Sequence, residues 1–173
     1  MTESSLLKTT IVVMGVAGSG KSTVAQGVAG RLDWPMVEGD DYHSRENKAK
    51  MAAGTPLTDD DRMPWLATIR DAIDRTPTHL VVTCSALRRS YRDVLRSARA
   101  RVRFLHLTGT PAVLGARIGA RTGHFMPPSM LISQLETLEP LGPDEDGVVV
   151  DIDADPDEIV DRALSRLGLT PVE

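Results

Sequence analysis

Residues 10–14 read TIVVM, an unbroken apolar and β-branched run that stops at a glycine. That is the pattern of a strand buried on both faces. The next apolar residues, Val24, Ala25, Val28, Ala29 and Leu32, recur at helical spacing within 21–32 and so fall on one stripe of a helix. The alternation then repeats: residues 36–37, 80–84, 104–107 and 148–152 are further short apolar runs, each followed by a helical pattern. Punctuation agrees with this reading. Gly54 closes one helix, Pro64 opens another before Trp65, Leu66, Ile69 and Ile73, Pro156 starts the last after Asp155, and Gly168 ends it. Five strands alternating with helices predict an α/β fold with an open parallel sheet, helices on both faces and right-handed crossovers. Ligands of such sheets bind at the carboxyl ends of the strands.

With 173 residues, the chain has the length of one compact domain over 1–173 with a polar leader over 1–9. It has no repeat, linker or low-complexity tract. Cys84 is the sole cysteine, which rules out an intrachain disulfide, reads as a core residue and fits a reducing compartment. No apolar run has the length of a secretory signal or a membrane span, so a cytoplasmic protein without a membrane partner is expected. A net charge of −4 and a pI near 5.6 argue against nucleic acid as a ligand. Arginines cluster between Arg88 and Arg103. Arg89, Arg92 and Arg96 follow a helix whose apolar side is Tyr91, Val94 and Leu95, which predicts a solvated basic face.

The chemistry starts at the first loop. Gly15, Val16, Ala17, Gly18, Ser19, Gly20, Lys21 and Ser22 match G-x-x-x-x-G-K-[ST] between a predicted strand and a predicted helix. Glycines let the backbone wrap phosphate oxygens, and the following helix directs its positive end at them. Lys21 supplies a mobile charge for terminal phosphates, the Ser22 hydroxyl a ligand for magnesium, and Thr23 a contact to the innermost phosphate. The bland alternative is a glycine turn that only joins strand to helix, which the matching strand and helix on either side disfavour. The loop implies a nucleotide and leaves kinase, hydrolase and switch open.

After the second apolar run, residues 37–43 read VEGDDYH, placing acids near the loop. Asp40 could orient an acceptor hydroxyl and take its proton, or could cap a helix. Arg62 suits a carboxylate, which a guanidinium grips with two parallel hydrogen bonds. It could instead pair with Asp59, Asp60 or Asp61. His43 and Lys48 are further candidates for a polyol or carboxylate, with a structural hydrogen bond the alternative for His43. Ser85 and Arg88, at the end of the third strand, are further candidates for substrate contacts. Arg117 and Arg121 are expected on one face of a helix, as functional groups or as a solvated face.

The segments GVAGSGKST at 15–23, EGDDYH at 38–43, NKAKMAAGTPLTDDDRMPW at 47–65, CSALRRSYRD at 84–93, ARTGHFM at 120–126 and QLETLE at 134–139 resemble the gluconate kinase family, related in fold to shikimate kinase and the nucleoside monophosphate kinases. The resemblance implies a P-loop kinase fold with a substrate-binding segment at 41–75 and a helical lid at 111–128. It implies transfer of the terminal phosphoryl group of ATP, with Mg2+, to the 6-hydroxyl of D-gluconate. Asp40 takes the position that contacts the acceptor hydroxyl. Glu38 matches an acidic position near magnesium, where shikimate kinases have aspartate, and Arg88 stands where family members have lysine. By the same resemblance Arg117 lies against adenine, Pro156 lines its other side, Arg121 approaches the transferring phosphate, His124 is near the sugar acid, and the protein is a homodimer. The alternatives are a shikimate kinase-like or other small-molecule kinase, which lacks the GTPLTDDDRMPW stretch, and a slow nucleotide-dependent switch.

Overall fold

A computed structural model describes residues 7–120 and 128–172. The strands are β1 (Thr9–Met14), β2 (Met36–Glu38), β3 (Leu80–Thr83), β4 (Arg101–Thr108) and β5 (Gly147–Asp151). The helices are α1 (Lys21–Leu32), α2 (Arg45–Ala52), α3 (Asp59–Arg75), α4 (Arg89–Arg96), α5 (Pro111–Ala120), α6 (Pro128–Thr137) and α7 (Pro156–Leu167), and Gly39–Tyr42 forms a short 3-10 turn. The strands make one five-stranded sheet in the order β2-β3-β1-β4-β5, with every pairing parallel. The chain leaves central β1 and must later return to either side of it. That switch point opens a crevice at the carboxyl ends of the strands.

Residues of β1 divide between two cores. Ile11 and Val13 pack with Val24, Val28 and Leu32 of α1 and Ile159 and Leu164 of α7. Val12 and Met14 pack with Trp65, Leu66, Ile69 and Ile73 of α3 and Tyr91 and Leu95 of α4. Both sets are buried, which is why the strand shows no polar alternation. β4 extends beyond the expected 104–107 because its amino end carries arginines: Arg101 and Arg103 reach Asp146 at 3.0 and 3.2 Å.

Two expectations are corrected. Pro64 does not open its helix but lies inside α3, which begins at Asp59. Thr58 caps it, accepting from Asp61 N–H at 3.1 Å while the Asp61 carboxylate accepts from Thr58 N–H at 2.9 Å. Three aspartates in that first turn favour the helix dipole. Pro64 withholds one donor, from the carbonyl of exposed Asp60, which water can satisfy. The second correction concerns Arg92, which is fully buried. Its Nε and Nη2 donate to Glu145 at 2.7 and 3.0 Å and its Nη1 to Ala86 O at 2.8 Å. Burial of this guanidinium is tolerable because every side of it meets an acceptor.

Candidate active site

The first glycine of the phosphate loop is required by its surroundings. Gly15 has φ +147°, and a Cβ there would lie 2.7 Å from Leu107 O. The start of α1 contrasts with that of α3. Gly20 caps it without a side-chain hydrogen bond, and no acid stands in its first turn. Its amide groups and dipole are therefore left for an anion, where α3 supplies its own carboxylates. Lys21 Nζ donates to Gly15 O and Val16 O, both at 3.1 Å, and so folds over the loop. Ser22 Oγ donates to Glu38 Oε2 at 3.1 Å, and Thr83 Oγ1 donates to the same oxygen.

Glu38 and Asp40 flank Gly39, which is held on all sides. Gly39 N donates to Thr83 Oγ1 at 3.2 Å, and Gly39 O accepts from Trp65 Nε1 at 2.7 Å. A Cβ on Gly39 would lie 2.1 Å from Thr83 O. Asp40 projects into a cavity of about 300 Å³ together with Ala17, Gly18, Gly20, Lys21, Ser22, His43, Arg62, Trp65, Ser85 and Gln134. The phosphate loop and the acid thus share one space.

His43 is buried and its ring stacks on Trp65 with centroids 3.9 Å apart. Asn47 fixes its tautomer. The Asn47 amide group donates to Asp61 O at 2.9 Å and lies 3.3 Å from His43 Nδ1, so Nδ1 is an acceptor and the proton sits on Nε2. Nε2 faces Asp40 Oδ1 at 3.8 Å. Burial lowers the His43 pKa, and neighbouring Arg62 and Lys48 lower it further against the pull of Asp40. The ring at this wall is neutral near pH 7.

Arg62 makes no ion pair with Asp59, Asp60 or Asp61 among the described residues. Its Nη1 donates to Tyr91 Oη at 3.0 Å with the guanidinium 5.3 Å from the ring centre, and Tyr91 Oη in turn donates to Asp59. Asp61 is taken by Lys50 at 2.9 Å. Burial, then the bond to Asp59, raises the Tyr91 pKa, so the phenol stays a donor. Helical spacing places Tyr91 in an apolar stripe; a hydroxyl aimed at two charged groups has no signature in that spacing. Gln134 and Trp65 likewise line the cavity without a local motif that marks them, although both lie in segments that carry the resemblance.

Other candidates stand apart from the cavity. Lys48 is exposed on α2 and does not line it. Arg88 lies 3.6 Å from Asp59 and lines a separate surface depression. Thr23 is exposed, and Val16 is buried and offers only its backbone. Arg117 Nη2 donates to Ile152 O at 2.5 Å, which joins α5 to the loop before Pro156, the exposed first residue of α7. Arg121 and His124 lie outside the described residues, as does 121–127 of the lid segment. Cys84 is buried in the core, where burial pushes its thiol up to about 12.

A phosphate cradle at the end of β1, facing a carboxylate from the end of β2 across one crevice, defines a P-loop protein of the phosphotransferase class. A family model described as an AAA domain matches residues 11–141. Gluconokinase of Gluconobacter oxydans (strain 621H) is 45% identical over 157 residues, covering 89% of this chain and 88% of its own. Thermoresistant gluconokinase of Escherichia coli (strain K12) is 48% identical over 146 residues, covering 82% and 83%. The crystal structure of a gluconokinase from Sinorhizobium meliloti 1021 superposes with a TM-score of 0.87 at 49% identity, covering 94% of this chain and 93% of that one. The chain belongs to the gluconokinase family.

Proposed function

We propose that this protein transfers the terminal phosphoryl group of ATP to the 6-hydroxyl of D-gluconate, releasing ADP and 6-phospho-D-gluconate. The observation that carries this reading is the single cavity in which Lys21 and Ser22 face Asp40, His43 and Arg62. Gluconate brings a terminal hydroxyl for Asp40 and a carboxylate for Arg62, whose guanidinium Tyr91 steadies. The acceptor oxygen forms a bond to the terminal phosphorus as the bond to the bridging oxygen of ADP breaks, and the hydroxyl proton passes to Asp40. Lys21 and the α1 amides neutralise the phosphates. Arg121 is assigned the charge on the transferring group, His124 a contact to the sugar acid, Arg117 and Pro156 the adenine.

The residues beside the loop suit magnesium. Ser22 and Glu38 present a hydroxyl and a carboxylate 3.1 Å apart, both hard oxygen donors. Among the described residues no cluster of three or more acidic, histidine or cysteine side chains could hold an ion, so Ser22, Glu38, water and nucleotide phosphates would hold it together. Bound there, magnesium would supply charge neutralisation at the phosphates. No helix among the described residues is long and apolar enough to cross a membrane; the same reading includes a cytoplasmic location and a homodimer.

The test is ADP release with ATP and magnesium, with D-gluconate, shikimate or no acceptor. Stimulation by gluconate alone is expected, and Asp40→Asn is expected to lower kcat by a factor on the order of 100 or more with ADP affinity retained. Equal turnover with shikimate would discard the acceptor; full turnover of D40N would discard the role of Asp40.

A further inference from the structure

Gln134 belongs to α6 and lines the cavity beside Lys21, Asp40 and Arg62. Its Oε1 accepts from the Ala17 N–H of the phosphate loop at 2.7 Å. Because a backbone N–H can only donate, the atom facing it must be the carboxamide oxygen. The orientation of the amide is thereby fixed, and its two N–H donors are turned away from the loop. Among the described residues these donors have no partner. A half-buried pair of donors at the wall of a polar cavity is built for a ligand oxygen. The elements around it already account for the other charges of the reaction: Lys21 and the α1 amides meet the phosphates, and Arg62 meets a carboxylate.

We infer that Gln134 is a binding residue for the acceptor, with Oε1 locked to the phosphate loop and Nε2 donating to an oxygen of the polyol chain. The inference rests on the gluconate reading of this cavity and adds a contact to it. One side chain then spans both substrates. Its oxygen is referenced to the loop that holds the nucleotide, and its nitrogen sets where the acceptor lies relative to that loop. A neutral amide also suits the place, since an ammonium would compete for the phosphates and a carboxylate would repel them.

Gln134→Met keeps the length and removes both polar atoms, while Met130 and Leu131, buried residues of α6, remain to seat the helix. Q134A serves as a second variant. The expected result for each folded variant is a rise in the KM for gluconate of roughly 10-fold, the loss of one ligand hydrogen bond with its partner left unpaired. The Kd for ADP, measured by titration, should stay within about 2-fold, since Ala17 N–H remains open to water or phosphate. Monodeoxy gluconates supply the second reading. The analogue lacking the contacted hydroxyl should be a poorer substrate of the unmodified enzyme and lose no further efficiency in Q134M. An unchanged gluconate KM overturns the inference, and so does a loss of ADP affinity as large as the loss for gluconate, which would make Gln134 only a brace for the loop. Failure of the unmodified enzyme to phosphorylate gluconate overturns the proposed function instead.

Discussion

Single side chains divide into those whose role travels with local sequence and those whose role needs a distant partner. The residues of the phosphate loop and the acids at 38 and 40 belong to the first group, because strand, glycine spacing and helix together define their surroundings. Arg92 belongs to the second. Its neighbours in sequence describe a solvated face, whereas Glu145 and the carbonyls of Ala86 and Leu87 make it an interior residue. Tyr91 is similar. Tyr91→Phe keeps the ring under Arg62 but removes the hydroxyl, so we expect the KM for gluconate to rise roughly 5-fold in steady-state kinetics with ADP affinity unchanged. An equal loss in both would point to a disturbed α4. His106 carries a prediction about pH. Burial on β4, with a further push from Arg92, lowers its pKa from 6.5 to about 4. Between those values the unfolded chain holds a proton that the folded one does not, so stability is full above pH 6.5 and falls as pH drops towards 4. The loss is on the order of 3 kcal/mol, readable by urea unfolding at pH 7 and 4.5. H106Q should flatten that slope, and an unchanged slope would place the acid sensitivity elsewhere.

At the scale of elements, apolar runs made β1 and β3 most legible, since strands buried on both faces carry few polar residues to blur them. The amino end of β4 was hidden by Arg101 and Arg103, which take the strand conformation but end in solvent-side ion pairs with Asp146. The start of α3 was displaced because proline at a first helical turn is a common signal, and a Thr-x-x-Asp capping pattern is a quieter one. The cap can be tested: Thr58→Ala should cost about 1 kcal/mol in chemical denaturation, while no change would mean that the three aspartates suffice. The same pair of helices explains a division of labour. α3 neutralises its own amino end with Asp59, Asp60 and Asp61, and α1 leaves its amino end to whatever anion arrives.

For the whole molecule, parallel strands with right-handed crossovers could be read from the alternation of patterns, but the order β2-β3-β1-β4-β5 could not. Any of the outer strands satisfies the same apolar pattern, and the choice is made by packing of α1 with α7 on one face and α3 with α4 on the other. That order brings the ends of β1, β2 and β3 to one crevice, so nucleotide binding should stabilise the entire sheet. ADP at about 100 times its Kd should raise unfolding free energy by about 2.7 kcal/mol in a thermal shift series, and Lys21→Ala should abolish most of that gain. A shift retained in K21A would place the nucleotide outside this loop. Gly39 has a consequence for descent as well as for the fold. With a carbonyl 2.1 Å from where its side chain would begin, it closes the short turn between Glu38 and Asp40 to mutation. A lineage exploring new acceptors must therefore do so by rewriting α2 and α3, and inherits the spacing of its two acids unaltered.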